Sequence, residues 1–409
     1  MSTALPENRE WPAVNDQRQM VAEADCVEYE QTLARLIGVN QAVAFGYARH
    51  ALISILDAAG LTPGDEVILA PLTCKVVPLA LLSLKLKPVY ADIAAETLNL
   101  DARAVESAIS PATRAILFQH TYGHPAGIES VARIAARKNL LLVEDCAQCL
   151  PYAADGYRPG SWGQAAIFSA NLLKPLPAGS GGVAVTNDHR LAAAVRARRD
   201  RLPQRGRFAE AALFIESRIH RYALSPRLYW PLFEINRAFG PSYRARPLAE
   251  EIAGEISAQA YRINASQSRA GLSWLARLPA IAAHRRAICA GYVEALQDVA
   301  GLNLPCANVS EPLYYFPALV ERKRELLRAA RRRLLEIIPW PLQTPIYPIE
   351  READLANYDY RLGSCPVAEE TARSLVGLPT SPMNAGQRDA VAALLKGHHA
   401  KTGGARNQC

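Results

Sequence analysis

A chain of 409 residues, 50% hydrophobic and with both charge signs interspersed, holds enough apolar material for two domains and a large buried core, which excludes a disordered or fibrous protein. Its formal charge of +7 and pI near 9.0 suit a nucleic acid, a membrane surface or a phosphorylated small molecule equally well, so charge alone does not choose among them. No basic-apolar-small leader opens the chain and no uncharged apolar run nears the roughly 18 to 20 residues that cross a bilayer, so a cytoplasmic location is expected.

From about Ala42 to Asn187 short β-rich runs alternate with longer helical patterns. The runs are Glu66 to Leu69, Pro88 to Ala91, Ala115 to Phe118, Leu140 to Val143, Ala165 to Phe168 and Val183 to Thr186. That rhythm requires crossovers and predicts an α/β fold with a mostly parallel sheet. Amphipathic stretches such as Ala48 to Ala59, closed by Gly60, and Ile128 to Lys138 are expected to cover its faces. Ligands of such sheets lie beyond the carboxyl ends of the strands, so the residues that follow each run are the candidates for chemistry.

Residues 201–250 break the rhythm with nine arginines against four glutamates and many aromatics, among them Tyr222, Tyr229, Trp230, Phe233, Phe239 and Tyr243. We read 201–255 as an insertion or linker, foremost a helical excursion packed on the body or on a second subunit. A lid, a membrane-surface contact or an anionic-substrate role remains an alternative. Further on, helical patterns at Ser266 to Leu278, Arg322 to Ile338, Val367 to Val376 and Asn384 to Leu395 surround a strand candidate at Tyr314 to Val320. The expected organisation is thus a large α/β domain over 1–200, the insertion, and a smaller α+β domain over 256–409.

The eight cysteines are scattered, so free thiols are expected. Cys146 and Cys149 form a C-x-x-C, but zinc normally takes four ligands and no second pair accompanies them, so no metal is expected. Nor do the arginines build a nucleic-acid-binding module, and no nucleic-acid partner is expected.

Three places carry chemistry. Glu144-Asp145-Cys146-Ala147-Gln148 follows a strand, and an acid there can hold a cationic ring nitrogen. Phe168-Ser169-Ala170-Asn171-Leu172-Leu173-Lys174 follows another and ends on a lysine, before Gly179-Ser180-Gly181-Gly182. Earlier, Gly46-Tyr47-Ala48-Arg49-His50 turns into a helix whose unpaired N–H groups suit a phosphate. Singly, each has an ordinary explanation: Asp145 as a helix cap, Lys174 as a solvated loop residue, Gly46 as a plain helix start. Their joint order is the informative feature.

In that order, with Pro63-Gly64-Asp65-Glu66-Val67, His120-Thr121-Tyr122-Gly123-His124-Pro125, Gly160-Ser161-Trp162-Gly163 and Pro366-Val367-Ala368-Glu369, the chain resembles the sugar aminotransferase (DegT/StrS) family over most of its length. The resemblance implies the type I fold of enzymes that use pyridoxal 5'-phosphate (PLP), in which Lys174 holds the cofactor as a Schiff base and shuttles a proton, and Asp145 partners the pyridinium nitrogen. It further implies that Gln148 contacts the ring or its phenolic oxygen, that Ser169 binds the phosphate together with the helix start at Ala48, Arg49 and His50, and that Cys74 lies against the ring. Cys74 stands where many members carry a stacking aromatic, and Ala48, Ser180 and Ala260 replace a common glycine, acid and asparagine. These departures mark a divergent branch.

The implied activity moves an amino group from an amino acid, glutamate or glutamine, to the ketone or aldehyde of a sugar-like, nucleotide-linked acceptor; a cyclitol or lipid-linked acceptor is the variant reading. A homodimer with shared active sites is implied as well. The rival within the family is a PLP-dependent sugar dehydratase, where histidine replaces the lysine, and the rival outside enzymology is a PLP-binding regulatory protein.

Overall fold

The computed structural model of the protein describes residues 14–151, 158–171, 174–175, 180–205, 226–239, 246–308, 310–340, 343–381 and 385–403. The strands in chain order are β1 (Gln41–Phe45), β2 (Glu66–Leu69), β3 (Thr73–Cys74), β4 (Lys87–Tyr90), β5 (Thr113–Gln119), β6 (Leu141–Asp145), β7 (Ala165–Ser169), β8 (Gly182–Thr186), β9 (Tyr315–Leu319), β10 (Ile346–Tyr347) and β11 (Leu375–Pro379). The helices used below are α1 (Val14–Ile37), α2 (Ala48–Ala58), α3 (Val76–Ser83), α4 (Ala102–Ala108), α5 (Ile128–Lys138), α6 (His189–Asp200), α7 (Pro226–Phe239), α8 (Ala265–Leu275), α9 (Leu278–Leu296), α10 (Lys323–Arg332), α11 (Pro366–Ser374) and α12 (Ala385–Gly403).

Seven strands form the central sheet in the order β1-β8-β7-β6-β5-β2-β4. Pairing is parallel from β7 through β4, while β8 runs antiparallel to both its neighbours. The expected α/β class with a mostly parallel sheet is therefore what the chain adopts. Successive side chains of a strand face opposite ways. Ile68, Ile116 and Phe118 accordingly enter one apolar cluster with α5, and Val67, Leu69, Ala115 and Leu117 enter another with α2 and α3. Both faces are covered, which is why these strands read as continuous apolar runs rather than alternating ones.

A third cluster joins Ile288, Tyr292 and Leu296 of α9 to Phe316 and Ala318 of β9, Val376 and Leu378 of β11, and Leu394 and Leu395 of α12. Here the sequence pattern misleads in one place: Val376, which the helical pattern includes, lies in β11. Its backbone pairs with Ala318 across an antiparallel ladder, and tertiary pairing overrides the local period. The α10 pattern also stops early, at Arg332, because Leu334 takes a left-handed φ of 55°.

Of the arginine-rich stretch, 206–225 and 240–245 lie outside the described residues. Helix α7 docks on the third cluster through Trp230, which is 3% exposed and donates its indole N–H to the Leu335 carbonyl at 2.8 Å. Residues 246–262 then return to the central sheet. Among the described residues, no helix is long and apolar enough to cross a membrane.

The return is fastened by a buried ion pair. Lys75 Nζ sits 3.0 and 2.7 Å from the two Glu251 oxygens, with both side chains 2% exposed. Its backbone N–H donates to Tyr347 O at 2.7 Å, beside the β3–β10 pairing that also fixes Cys74. Removing one partner of such a pair strands a charge, so Lys75→Met should cost about 3–5 kcal/mol in urea unfolding. Adding Glu251→Leu should recover most of that loss; a single substitution without effect would show that the pair is solvated.

Candidate active site

Asp145 closes β6 and is 3% exposed. Its backbone carbonyl accepts from His120 N–H at 3.1 Å, and Oδ1 accepts from Ala147 N–H at 2.9 Å. Oδ2 accepts no hydrogen bond from the described residues. Burial pushes this carboxyl above the ordinary carboxylate range, against the opposing pull of the Ala147 N–H and of the charges on Lys174 and His120. Lys174 and Asp145 are therefore close enough to act on each other, although 29 positions separate them in the sequence.

Lys174 is half-buried, and its amide N–H donates to Asn171 O at 3.0 Å. Its amine has no hydrogen-bond or ion-pair partner among the described residues. Gln148, nearly buried, accepts through Oε1 from the Tyr122 N–H at 2.9 Å. An N–H must meet the amide oxygen, so the Gln148 NH₂ points its donors elsewhere and has no acceptor among the described residues. Tyr122 itself is held at a φ of 56°, with its hydroxyl donating to Trp340 O at 2.8 Å.

Glu144, one residue before Asp145, faces the other way and is fully answered. His120 Nε2 lies 2.8 Å from Oε2, Gly160 N–H donates to Oε2 at 3.0 Å, and the Trp162 and Gly163 N–H groups each donate to Oε1 at 2.7 Å. Glu144 thus clamps the 160–163 turn. Burial opposes charge on His120, while Cys149, Glu144 and Asp145 favour it, and the balance raises its pKa. His120, Glu144 and Cys146 lie close enough to share a metal ion, but the Glu144 oxygens are already committed to these hydrogen bonds.

The opposite end of the site is built by β7, β8 and α2. Ser169 ends β7 in register with Gly182 of β8. Gly182 in turn lies against the start of α2 so closely that a methyl group there would overlap the Ala48 nitrogen. No side chain caps α2 at Tyr47, and its first turn carries no acid. The His50 N–H donates to Tyr47 O at 3.2 Å, which leaves the amides of Ala48 and Arg49 and the helix dipole to meet an anion near the end of β7.

The side chains of Arg49 and His50 point elsewhere. Arg49 Nη1 is 2.7 Å from both the carbonyl and Oε2 of Glu255, and His50 Nε2 donates to Ile256 O at 2.9 Å. Both residues anchor the returning segment and leave their backbone to the site. Cys74, at the end of β3, is half-buried.

Tyr122, His120 and the Ser180–Gln267 pair, in which Gln267 Nε2 donates to Ser180 O at 2.8 Å, are parts that strand-end reasoning missed. β5 runs on to Gln119, past the Phe118 at which the apolar run stops, so the residues to inspect begin at His120.

This donor set fits PLP in kind. A bare carboxylate oxygen suits a protonated ring nitrogen, a free amine suits an aldehyde, an amide NH₂ suits a ring oxygen, and an open helix start with a hydroxyl suits a phosphate.

Comparison with known proteins agrees with this chemistry. A model of the DegT/DnrJ/EryC1/StrS aminotransferase family matches residues 7–396. The dTDP-3-amino-3,4,6-trideoxy-alpha-D-glucose transaminase of Micromonospora megalomicea subsp. nigra is 29% identical over 364 residues, 87% of this chain and 84% of the relative. The L-glutamine:2-deoxy-scyllo-inosose aminotransferase of Streptomyces kanamyceticus is 40% identical over 141 residues, but these are only 34% of this chain and 33% of that one. Among solved structures, DesV of S. venezuelae in complex with a ketimine intermediate has a TM-score of 0.70 and 26% identity, covering 92% of this chain and 89% of its own.

Burial lowers the pKa of His50 and of His124 to about 4 each. The unfolded chain, titrating near 6.5, binds protons that the folded chain does not between those values. Stability should therefore be full above about pH 6.5 and fall by up to about 3 kcal/mol per histidine as pH drops toward 4. Urea midpoints at pH 7 and pH 5 should differ in that sense, and His50→Gln should flatten the slope; equal midpoints would show both rings to be solvated.

Proposed function

The chain belongs to the DegT/DnrJ/EryC1/StrS aminotransferase family, and from that membership we propose that its donor is an amino acid, glutamate or glutamine, and its acceptor the ketone or aldehyde of a nucleotide-linked sugar. The enzyme is an aminotransferase. What supports the assignment of its centre is a lysine amine without a partner among the described residues, whose charge favours the ionised form of a buried carboxylate that has one oxygen unpaired among them. The relative from Micromonospora, a dTDP-sugar transaminase by name, supports a nucleotide-linked acceptor. So does the charge of +7, since a diphosphate draws basic side chains. The cyclitol name of the Streptomyces relative favours the second reading, though over a third of the chain only.

Pyridoxal phosphate, the cofactor of this family's aminotransferases, supplies an aldehyde that takes up amines and a ring that accepts the electrons released when a proton leaves the substrate carbon. Asp145 would meet a protonated ring nitrogen through Oδ2. Lys174 would hold the cofactor, and its Nζ would be the group that moves a proton at the substrate carbon. Gln148 would offer its NH₂ to a ring oxygen. Ser169 and the start of α2 at Ala48, Arg49 and His50 would hold the phosphate, and Cys74 would lie against the ring. A lysine at 174, where the family's dehydratases carry histidine, speaks for transamination.

The working form is a homodimer with shared active sites, as the family resemblance implies. It acts in the cytoplasm, consistent with free thiols at the seven described cysteines.

Purified protein should absorb in the visible, and L-glutamate or L-glutamine should shift that band. Lys174→Ala should abolish the band's response and lower turnover by roughly 10⁴-fold, the scale of a lost nucleophile and general base. A spectrum unmoved by every amino acid tried would overturn transamination.

A further inference from the structure

Arg285 lies midway along α9, 4% exposed. Its guanidinium forms no ion pair with a described residue. Nη2 donates over a long 3.4 Å to the carbonyl of Pro175, the residue that follows Lys174. Nε and Nη1 are enclosed and find no hydrogen-bond partner among the described residues. The guanidinium carbon sits 5.5 Å from the centre of the Tyr314 ring, a cation–π arrangement. A buried cation with two unanswered donors opposes folding, so packing does not account for it. Direct substrate contact does not account for it either, because the two free nitrogens have no surface that a ligand could touch.

What Arg285 does have is a position between two arms of the site. One arm runs from Nη2 through Pro175 to Lys174. The other begins at Tyr314, whose backbone N–H donates to Tyr122 O at 2.8 Å, and continues from the Tyr122 N–H to Gln148 Oε1 at 2.9 Å. The Tyr315 ring adds an edge-on contact with Tyr122, centroids 6.1 Å apart. A single rigid guanidinium on α9 therefore touches both the chain that carries the amine and the wall that carries the amide.

We propose that Arg285 is a positioning residue for transamination: through Pro175 and Tyr314 it sets the spacing between the Lys174 amine and the Gln148 amide. The proposal rests on the aminotransferase reading. A planar fork on α9 holds both arms at once, whereas an apolar side chain of similar length fills the space and holds neither.

The test compares Arg285→Met and Arg285→Lys with the wild-type holoenzyme. R285M should unfold at the same or a higher temperature, since it removes an unanswered buried charge, and should still take up PLP. Its turnover with the amino donor should fall by about 100-fold, the cost of a misplacement near 1 Å, with KM changed less than about threefold. The pH at which the visible band titrates should move, and R285K, which keeps one donor for Pro175 O, should restore much of the turnover. Loss of folding stability together with turnover in R285M would mark a purely structural residue and overturn the proposal. So would undiminished turnover, or a raised KM with turnover held, which would indicate direct substrate contact. A wild-type enzyme inert to every amino acid would instead sink the transaminase reading, and this one with it.

Discussion

A carboxylate buried at the end of a central strand, with one oxygen left bare, is the constraint around which the rest of the site is arranged. Asp145 is held by the sheet through its carbonyl and by Ala147 through Oδ1. Burial of such a group is unfavourable unless a cation meets it. The contrast with the preceding residue is informative. Glu144 is equally buried but points to the other face, where His120 and three backbone amides satisfy it. Adjacent acids on one strand thus separate into a structural clamp and a reactive group, because side chains alternate across the pleat. On the proposed function, a protonated ring nitrogen would complete Asp145 as the amides complete Glu144.

The phosphate end follows the same economy. Gly182 lets β8 approach the start of α2, which brings Ser169 and uncapped amides together. The side chains of that turn hold distant chain, Arg49 and His50 binding residues 255 and 256, and Lys75, just before α3, binds Glu251. The segment after the arginine-rich stretch is therefore part of the scaffold beneath the cofactor helix. A change in this returning segment reaches the site through three defined contacts.

Much of this was legible in the sequence. Alternating apolar runs and amphipathic helices foretold the sheet, and β2 and α5 fall where the pattern put them. The acid that closes β6 and the lysine after β7 drew notice in the sequence because open sheets place ligands at strand ends. Other features were hidden for physical reasons. The partners of Arg49 and His50 lie 206 positions away, and no local period encodes them. Val376 was misread because helix and strand share short apolar runs, and only the ladder to Ala318 decides between them. Arg285 falls in none of the patterns read from the sequence, and its isolation shows only in three dimensions.

The most direct measurement of the central claim is reduction of the holoenzyme with borohydride, followed by proteolysis and mass spectrometry. Lys174 should carry the pyridoxyl adduct, and Asp145→Asn should leave that linkage in place while abolishing the response of the visible band to glutamate. An adduct on another lysine, or an Asp145→Asn enzyme whose band still responds fully, would contradict the account.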